Sequence, residues 1–180
     1  IDALKQTLQK TQPWVSPRLP RTITLPCTPY VHHQVTYIKA TQAKLHFTIQ
    51  ADRLCIYGRH TQHFHASLIY WLKSEAKNQL TPRLMTLSQA AGIPFNKISI
   101  RHQKRRLGSC SSIGNISLNA VLVLFDQPLI DYVILHELTH ILHMNHSRAF
   151  WDKLNTLCPN AKIKQDLTQQ HYMTLPTWAK

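Results

Sequence analysis

The chain has 180 residues, enough for one domain with a sizeable core. Its 21 basic against 8 acidic residues leave a formal charge of +13, which favours anionic partners such as nucleic acid, nucleotides or phosphorylated surfaces. No run of about 18 apolar residues spans a membrane, and no signal-peptide pattern of basic, apolar and small segments is read at the start. The four cysteines, Cys27, Cys55, Cys110 and Cys158, stand far apart without a C-x-x-C pair, which argues against a disulfide scaffold or a thiolate zinc knuckle. A reduced, cytoplasmic chain is expected.

In chain order, Ile1–Lys10 reads as a short helix. Thr11–Tyr30 carries Pro13, Pro17, Pro20, Pro26 and Pro29, a density that prevents helix. Residues 1–30 are therefore expected to form a strap over the surface. Val31–Lys39 and Ala43–Gln50 alternate, with Leu45, Phe47 and Ile49 on one face; they predict paired antiparallel strands, and Leu54–Tyr57 a third. Gln62–Leu80 has helical periodicity through Phe64, Leu68, Trp71, Leu72 and Ala76. Thr81 and Pro82 are expected to begin a second helix, ended by Gly92 as C-cap. Lys97–Arg101 and Asn115–Asn119 read as strands around a loop, His102–Gly114. Val121–Phe125 leads into another helix, and Ala161–Tyr172 is a last one before a loose tail. The pattern predicts an α+β fold, a small mostly antiparallel sheet packed on helices, in one domain over residues 1–180 whose chemical core is about 95–158.

The chemistry lies in Asp131–Trp151, DYVILHELTHILHMNHSRAFW. Leu129, Ile130, Val133, Leu135, Leu138, Ile141 and Leu142 form a heavily apolar helix pattern, with Pro128 suited to its first turn and Asp126 to its cap. His136 and His140 are four residues apart, so their imidazoles share one helix face, and Glu137 lies beside the first. In this H-E-x-x-H pattern two neutral imidazoles hold zinc while the glutamate takes a proton from water on the ion. Random placement of these residue types would produce it only about once in a hundred chains of this composition. A buried histidine pair with a glutamate is costly unless satisfied, and a metal satisfies all three.

A catalytic zinc needs a third protein ligand. His146, six residues past His140, is the candidate, with Asn145 as the left-handed residue that ends the helix and Ser147 as N-cap of the next, Arg148–Leu157. His143 competes for the role. One zinc ion per chain is expected. Tyr132 is a candidate oxyanion donor, and Asp131, Asp126 or Asp152 could orient a ligand histidine.

Between the two later strands, RHQKRRLGSCSS places Arg101, Lys104, Arg105 and Arg106 before a small polar turn, Gly108-Ser109-Cys110-Ser111. The segment reads either as an anion-holding site near the metal or as a solvated hairpin.

From Lys97 to Trp151 the chain resembles the YgjP-like metallopeptidase family, relatives of the SprT-like proteins among the zincins. The resemblance rests on Arg101, Lys104 and Arg106, on Gly108–Ser111, on Gly114-Asn115-Ile116-Ser117-Leu118-Asn119, on Asp131-Tyr132-Val133, on His136–His140, and on Asn145-His146-Ser147 with Phe150-Trp151. It implies His136, His140 and His146 as metal ligands and Glu137 as catalytic base. The chain departs from the family at Leu107, where tryptophan is usual, and in Ile1–Arg59; substrate recognition is therefore expected to differ. The expected function is zinc-dependent peptide hydrolysis without an obligate protein partner. Two alternatives are a nucleotide hydrolase gripping phosphate through residues 101–106 and a non-enzymatic nucleic-acid-binding module with a structural zinc.

Overall fold

The computed structural model of the chain describes residues 16, 18–26, 31–41 and 44–180. The helix expected at Ile1–Lys10 and much of the proline-rich stretch, Cys27 included, lie outside these residues. The chain divides into two compact units: the first runs to Thr24 and then covers His32–Trp71, and the second comprises Leu25–Val31 and Leu72–Lys180.

The first unit holds most of a four-stranded sheet, β1 (Thr22–Leu25), β2 (Val31–Lys39), β3 (His46–Gln50) and β4 (Arg53–Gly58), in the order β1-β2-β4-β3. Strand β1 corrects the strap expectation. Between Pro20 and Pro26 the residues Thr-Ile-Thr-Leu alternate, and Ile23 and Leu25 are buried. A second correction concerns pairing: β4 separates β2 from β3, running parallel to β2 and antiparallel to β3. The physical reason is burial. Leu54, Cys55 and Ile56 are all buried, so β4 takes a central position, and β3 is left at the edge with Ile49 within it and Leu45 just before it exposed. Ala51, at φ 52, makes the turn that folds β3 back along β4.

α1 (Thr61–Ala91) is one helix of 31 residues, where the sequence predicts two. Pro82 cannot donate to the carbonyl four residues back, which is why it reads as a start. Burial on either side carries the helix through it: Leu80 and Leu84 are both inaccessible. Arg83, next to the proline, makes a paired contact with Asp131, Nε to Oδ1 at 2.7 Å and Nη2 to Oδ2 at 2.6 Å. Gly92 ends the helix at φ 66, as expected, and the Ile93 N–H donates to the Ser88 carbonyl.

The second unit contains a three-stranded sheet, β5 (Lys97–Arg101), β6 (Gly108–Cys110) and β7 (Asn115–Asn119), in the order β5-β7-β6. β5 and β7 run parallel and β6 antiparallel to β7, so the Gly-Ser-Cys segment is an edge strand and not the tip of a hairpin. After a buried 3-10 turn, Ala120–Leu124, comes α2 (Gln127–Leu142), with Asp126 at its N-cap position and Pro128 in its first turn. α2 packs against β6 and β7, against α3 (Arg148–Leu157), and against α4 (Ala161–Thr174). The end of the chain is not loose. Thr177–Ala179 forms a 3-10 turn with Trp178 and Ala179 buried, and the His102 Nε2–H donates to the Ala179 carbonyl at 3.0 Å. Among the described residues no helix is long and apolar enough to cross a membrane.

The Arg83 fork anchors the start of α2 together with Gln127, whose amide donates to Asp131 Oδ1 at 2.8 Å. Arg83→Ala is expected to lower stability by about 1–3 kcal/mol in urea unfolding, and Arg83→Lys to recover only part of it, because an ammonium cannot make the fork.

Candidate active site

The helical spacing of His136 and His140 brings their Nε2 atoms to 3.2 Å. The chain leaves α2 at His143, which is extended (φ −139, ψ 99); Asn145 is not left-handed, since the positive-φ non-glycine residues described are Ala51 and Asn160. An extended exit suffices to bring His146 back, with its Nε2 at 3.0 Å from that of His136. Ser147 then caps α3 as expected, its hydroxyl accepting from the Phe150 N–H. That cap fixes a residue whose role the sequence reading missed. Phe150 is fully buried, and its ring centroid lies 5.0, 4.6 and 4.8 Å from those of His136, His140 and His146. One aromatic floor supports all three imidazoles.

The other ring nitrogens of His136 and His140 are engaged. His140 Nδ1 lies 3.1 Å from the His143 carbonyl, which only accepts, so Nδ1 carries the proton and Nε2 is left bare. His136 Nδ1 lies 3.3 Å from the Tyr132 hydroxyl. His143 therefore contributes its carbonyl and not its imidazole, and the Tyr132 hydroxyl is placed to orient the His136 ring. None of the three aspartates orients an imidazole: Asp131 is held by Arg83 and Gln127, Asp152 pairs with Arg148 at the surface, and Asp126 sits at the helix cap.

Three imidazole nitrogens facing one point suit a cation. His136, His140 and His146 offer ligand atoms within 4.8 Å of one another. A tetrahedral ion with nitrogen ligands at about 2.0–2.1 Å would space them about 3.3–3.4 Å apart, near the 3.0 and 3.2 Å observed. Burial pushes His136 down to about 3, with His140 and His146 adding to it, and burial lowers His140 as well. Both rings are thus held in the neutral form that binds metal. The donor set fits a zinc-type ion.

Glu137 is 6% exposed, and burial pushes its carboxyl up to about 8, opposed by the charge of Arg106. Gly108 in β6 makes room for it: a Cβ there would lie 2.5 Å from Glu137 Oε1 and 2.7 Å from its Cγ. The glycine is needed for this close approach. A cleft of about 420 Å³ opens beside Glu137, between Arg105–Gly108, the Tyr132, Val133 and His136 side of α2, and Gln165, Thr168, Gln169, Tyr172 and Met173 of α4. Of the four basic loop residues, Arg105 and Arg106 line it. All four are exposed, but Arg101, at the end of β5, and Lys104 lie outside that lining, although the Lys104 carbonyl accepts from the Tyr172 hydroxyl at 2.6 Å. The α4 wall was not foreseen. Gln165, Thr168, Gln169 and Tyr172 repeat at helical spacing, a signal hidden because the face is polar.

An apolar helix presenting two histidines and a glutamate, with a third histidine returned to them, defines a metal-dependent hydrolase domain. The model of the YgjP-like, metallopeptidase domain family matches residues 2–171, and the chain belongs to that family. Two solved structures are similar to it. The metallopeptidase zymogen abylysin of Pyrococcus abyssi is 22% identical over 52% of this chain and 94% of its own, with a TM-score of 0.47. The metallopeptidase zymogen jannalysin of Methanocaldococcus jannaschii is 26% identical over 53% and 94%, with a TM-score of 0.44. No curated protein is significantly similar in sequence.

Two outcomes follow from the burial of Glu137. Gly108→Ala is expected to cost about 1–3 kcal/mol, and much less in a Glu137→Ala background where the clashing atoms are gone; a double-mutant cycle by denaturant unfolding reads this. In chelator, the neutral carboxyl favours folding below about pH 4.5, and that contribution is lost as pH rises through about 8. Glu137→Gln should therefore stabilise the metal-free chain by about 2 kcal/mol or more at pH 9 and have little effect at pH 5.

Proposed function

We propose that the chain is a zinc-dependent metallopeptidase in which His136, His140 and His146 hold the ion and Glu137 serves as base and then acid. The observation that carries this reading is the convergence of three imidazole Nε2 atoms beside a buried carboxyl. What the ion supplies when bound is Lewis acidity, towards a scissile carbonyl and towards water. Every other task falls to groups of the chain itself. Tyr132 and the His143 carbonyl fix the orientation of His136 and His140, and Phe150 keeps their faces dry. Glu137, in its ionised form, accepts a proton from the attacking water and returns it to the departing amine. Edge strand β6, beside that carboxyl, offers backbone groups along which an extended peptide can lie.

The test pairs metal content with turnover. Purified protein should carry about one zinc per chain, and His140→Ala should lose it. Glu137→Gln should keep the ion yet lose at least about 100-fold in peptide hydrolysis. Consumption of nucleoside triphosphates in place of peptides would replace this reading with a phosphoanhydride hydrolase.

A further inference from the structure

Arg105 and Arg106 are the cations of the cleft beside Glu137, and neither makes an ion pair, although the charge of Arg106 is felt by Glu137: the ion pairs among the described residues are Arg83–Asp131 and Arg148–Asp152. In a chain of such positive charge, two unpaired arginines could simply be solvated. Their backbone argues otherwise. The Asn119 side-chain amide donates to the Gln103 carbonyl at 2.6 Å and to the Arg106 carbonyl at 2.7 Å, and the Asn119 N–H donates to the Leu107 carbonyl at 2.8 Å. From the other side the Tyr172 hydroxyl holds the Lys104 carbonyl. Asn119 is itself buried, so the backbone of the segment from Gln103 to Leu107 is held from both sides. The opposite wall offers neutral amides, Gln165 and Gln169, and among the described residues the only carboxyl lining the cleft is Glu137.

We infer that this cleft is a carboxylate subsite: Arg105 and Arg106 hold an acidic group of the substrate peptide next to the bond that is cut. The inference rests on the peptidase reading. Guanidinium forks match a carboxylate in two parallel hydrogen bonds, and a held backbone spares the loop's share of the ordering cost of presenting them. A volume of about 420 Å³ admits a side chain with the backbone that carries it. The carboxylate has two sources, an Asp or Glu side chain within a peptide or the free C-terminus, and both are oriented in the same way.

The experiment measures binding separately from turnover. Capped pentapeptides differing only in a central Glu or Gln, and an uncapped version of the Gln peptide, are titrated into the zinc-supplied Glu137→Gln chain. The Glu peptide should bind at least about tenfold more tightly than the Gln peptide, as expected for a charge-assisted contact. Arg105→Gln with Arg106→Gln should abolish that difference. Lys73→Gln with Lys77→Gln, which removes the same charge from an exposed stretch of α1, should preserve it. Tighter binding of the uncapped peptide alone, lost with the arginines, would make the C-terminus the source. Equal affinities, equal losses in both double variants, or tighter binding of ATP than of any carboxylate peptide by the same arginines would overturn the inference. Failure of the underlying reading looks different. Arginine-dependent binding of the Glu peptide with no cleavage by the zinc-loaded wild-type chain sinks the peptidase and leaves the subsite standing. Cleavage of Glu and Gln peptides at equal kcat/KM, with equal binding, does the reverse.

Discussion

The constraint on which the second unit depends is the burial of a carboxyl on an apolar helix. Glu137 sits among Ile134, Leu135 and Leu138, all buried, and an ionised carboxylate there carries a desolvation penalty of several kcal/mol unless something opposes it. The surroundings answer that penalty in three ways. The proton is retained to a higher pH, Arg106 supplies an opposing positive charge, and Gly108 allows the strand backbone to close over the side chain. The imidazoles meet the same problem differently. Burial holds His136 neutral, each inner ring has a partner for its second nitrogen, and Phe150 fills the space beneath them. A polar cluster is tolerable in a core only when every member is satisfied or poised for a ligand.

What could be read from the residues was local. Four-residue spacing on an apolar helix put His136 and His140 together, Ser147 announced its helix three residues ahead of Phe150, and Gly92 marked the end of α1, because each depends on neighbours within one or two turns. What escaped was decided at a distance. Pro82 reads as a helix start, yet buried neighbours and an ion pair to Asp131, 48 positions away, keep the helix continuous. β4 lies between β2 and β3 because of where its apolar residues are buried, which alternation within β2 and β3 does not encode. The orienting partners of the imidazoles escaped for a third reason. A backbone carbonyl leaves no mark on a sequence, and a tyrosine one turn before a histidine reads equally well as a catalytic donor.

The formal charge was informative only after the structure had sorted it. Arg83 belongs to a structural fork, Arg148 to a surface pair, and Arg101 and Lys104 stand clear of the cleft lining; of the basic loop, Arg105 and Arg106 remain beside Glu137. A net charge of +13 describes the long-range field, whereas recognition at short range depends on which cations are fixed and unpaired.

The motif residues acquire mechanical roles around this centre. Gly108 admits Glu137, Asp131 anchors the start of α2, Tyr132 meets His136, and Ser147 positions Phe150. Asn119 ends β7, caps the following 3-10 turn by accepting from the Val121 N–H, and clamps the arginine loop through its amide. Each acts on the imidazoles, on the glutamate, or on the loop that faces them. At Leu107, the position where the resemblance leads one to expect tryptophan, only the carbonyl shares in these tasks, accepting from the Asn119 N–H; the residue lines the cleft between Arg106 and Gly108. A smaller side chain there leaves the supports of Glu137 intact and reshapes the wall that a substrate would meet. Under the proposed function, chemistry and recognition are thereby separable in this chain: the first depends on contacts that bury Glu137, the second on one short segment whose backbone is held by Asn119 and whose side chains are free to differ.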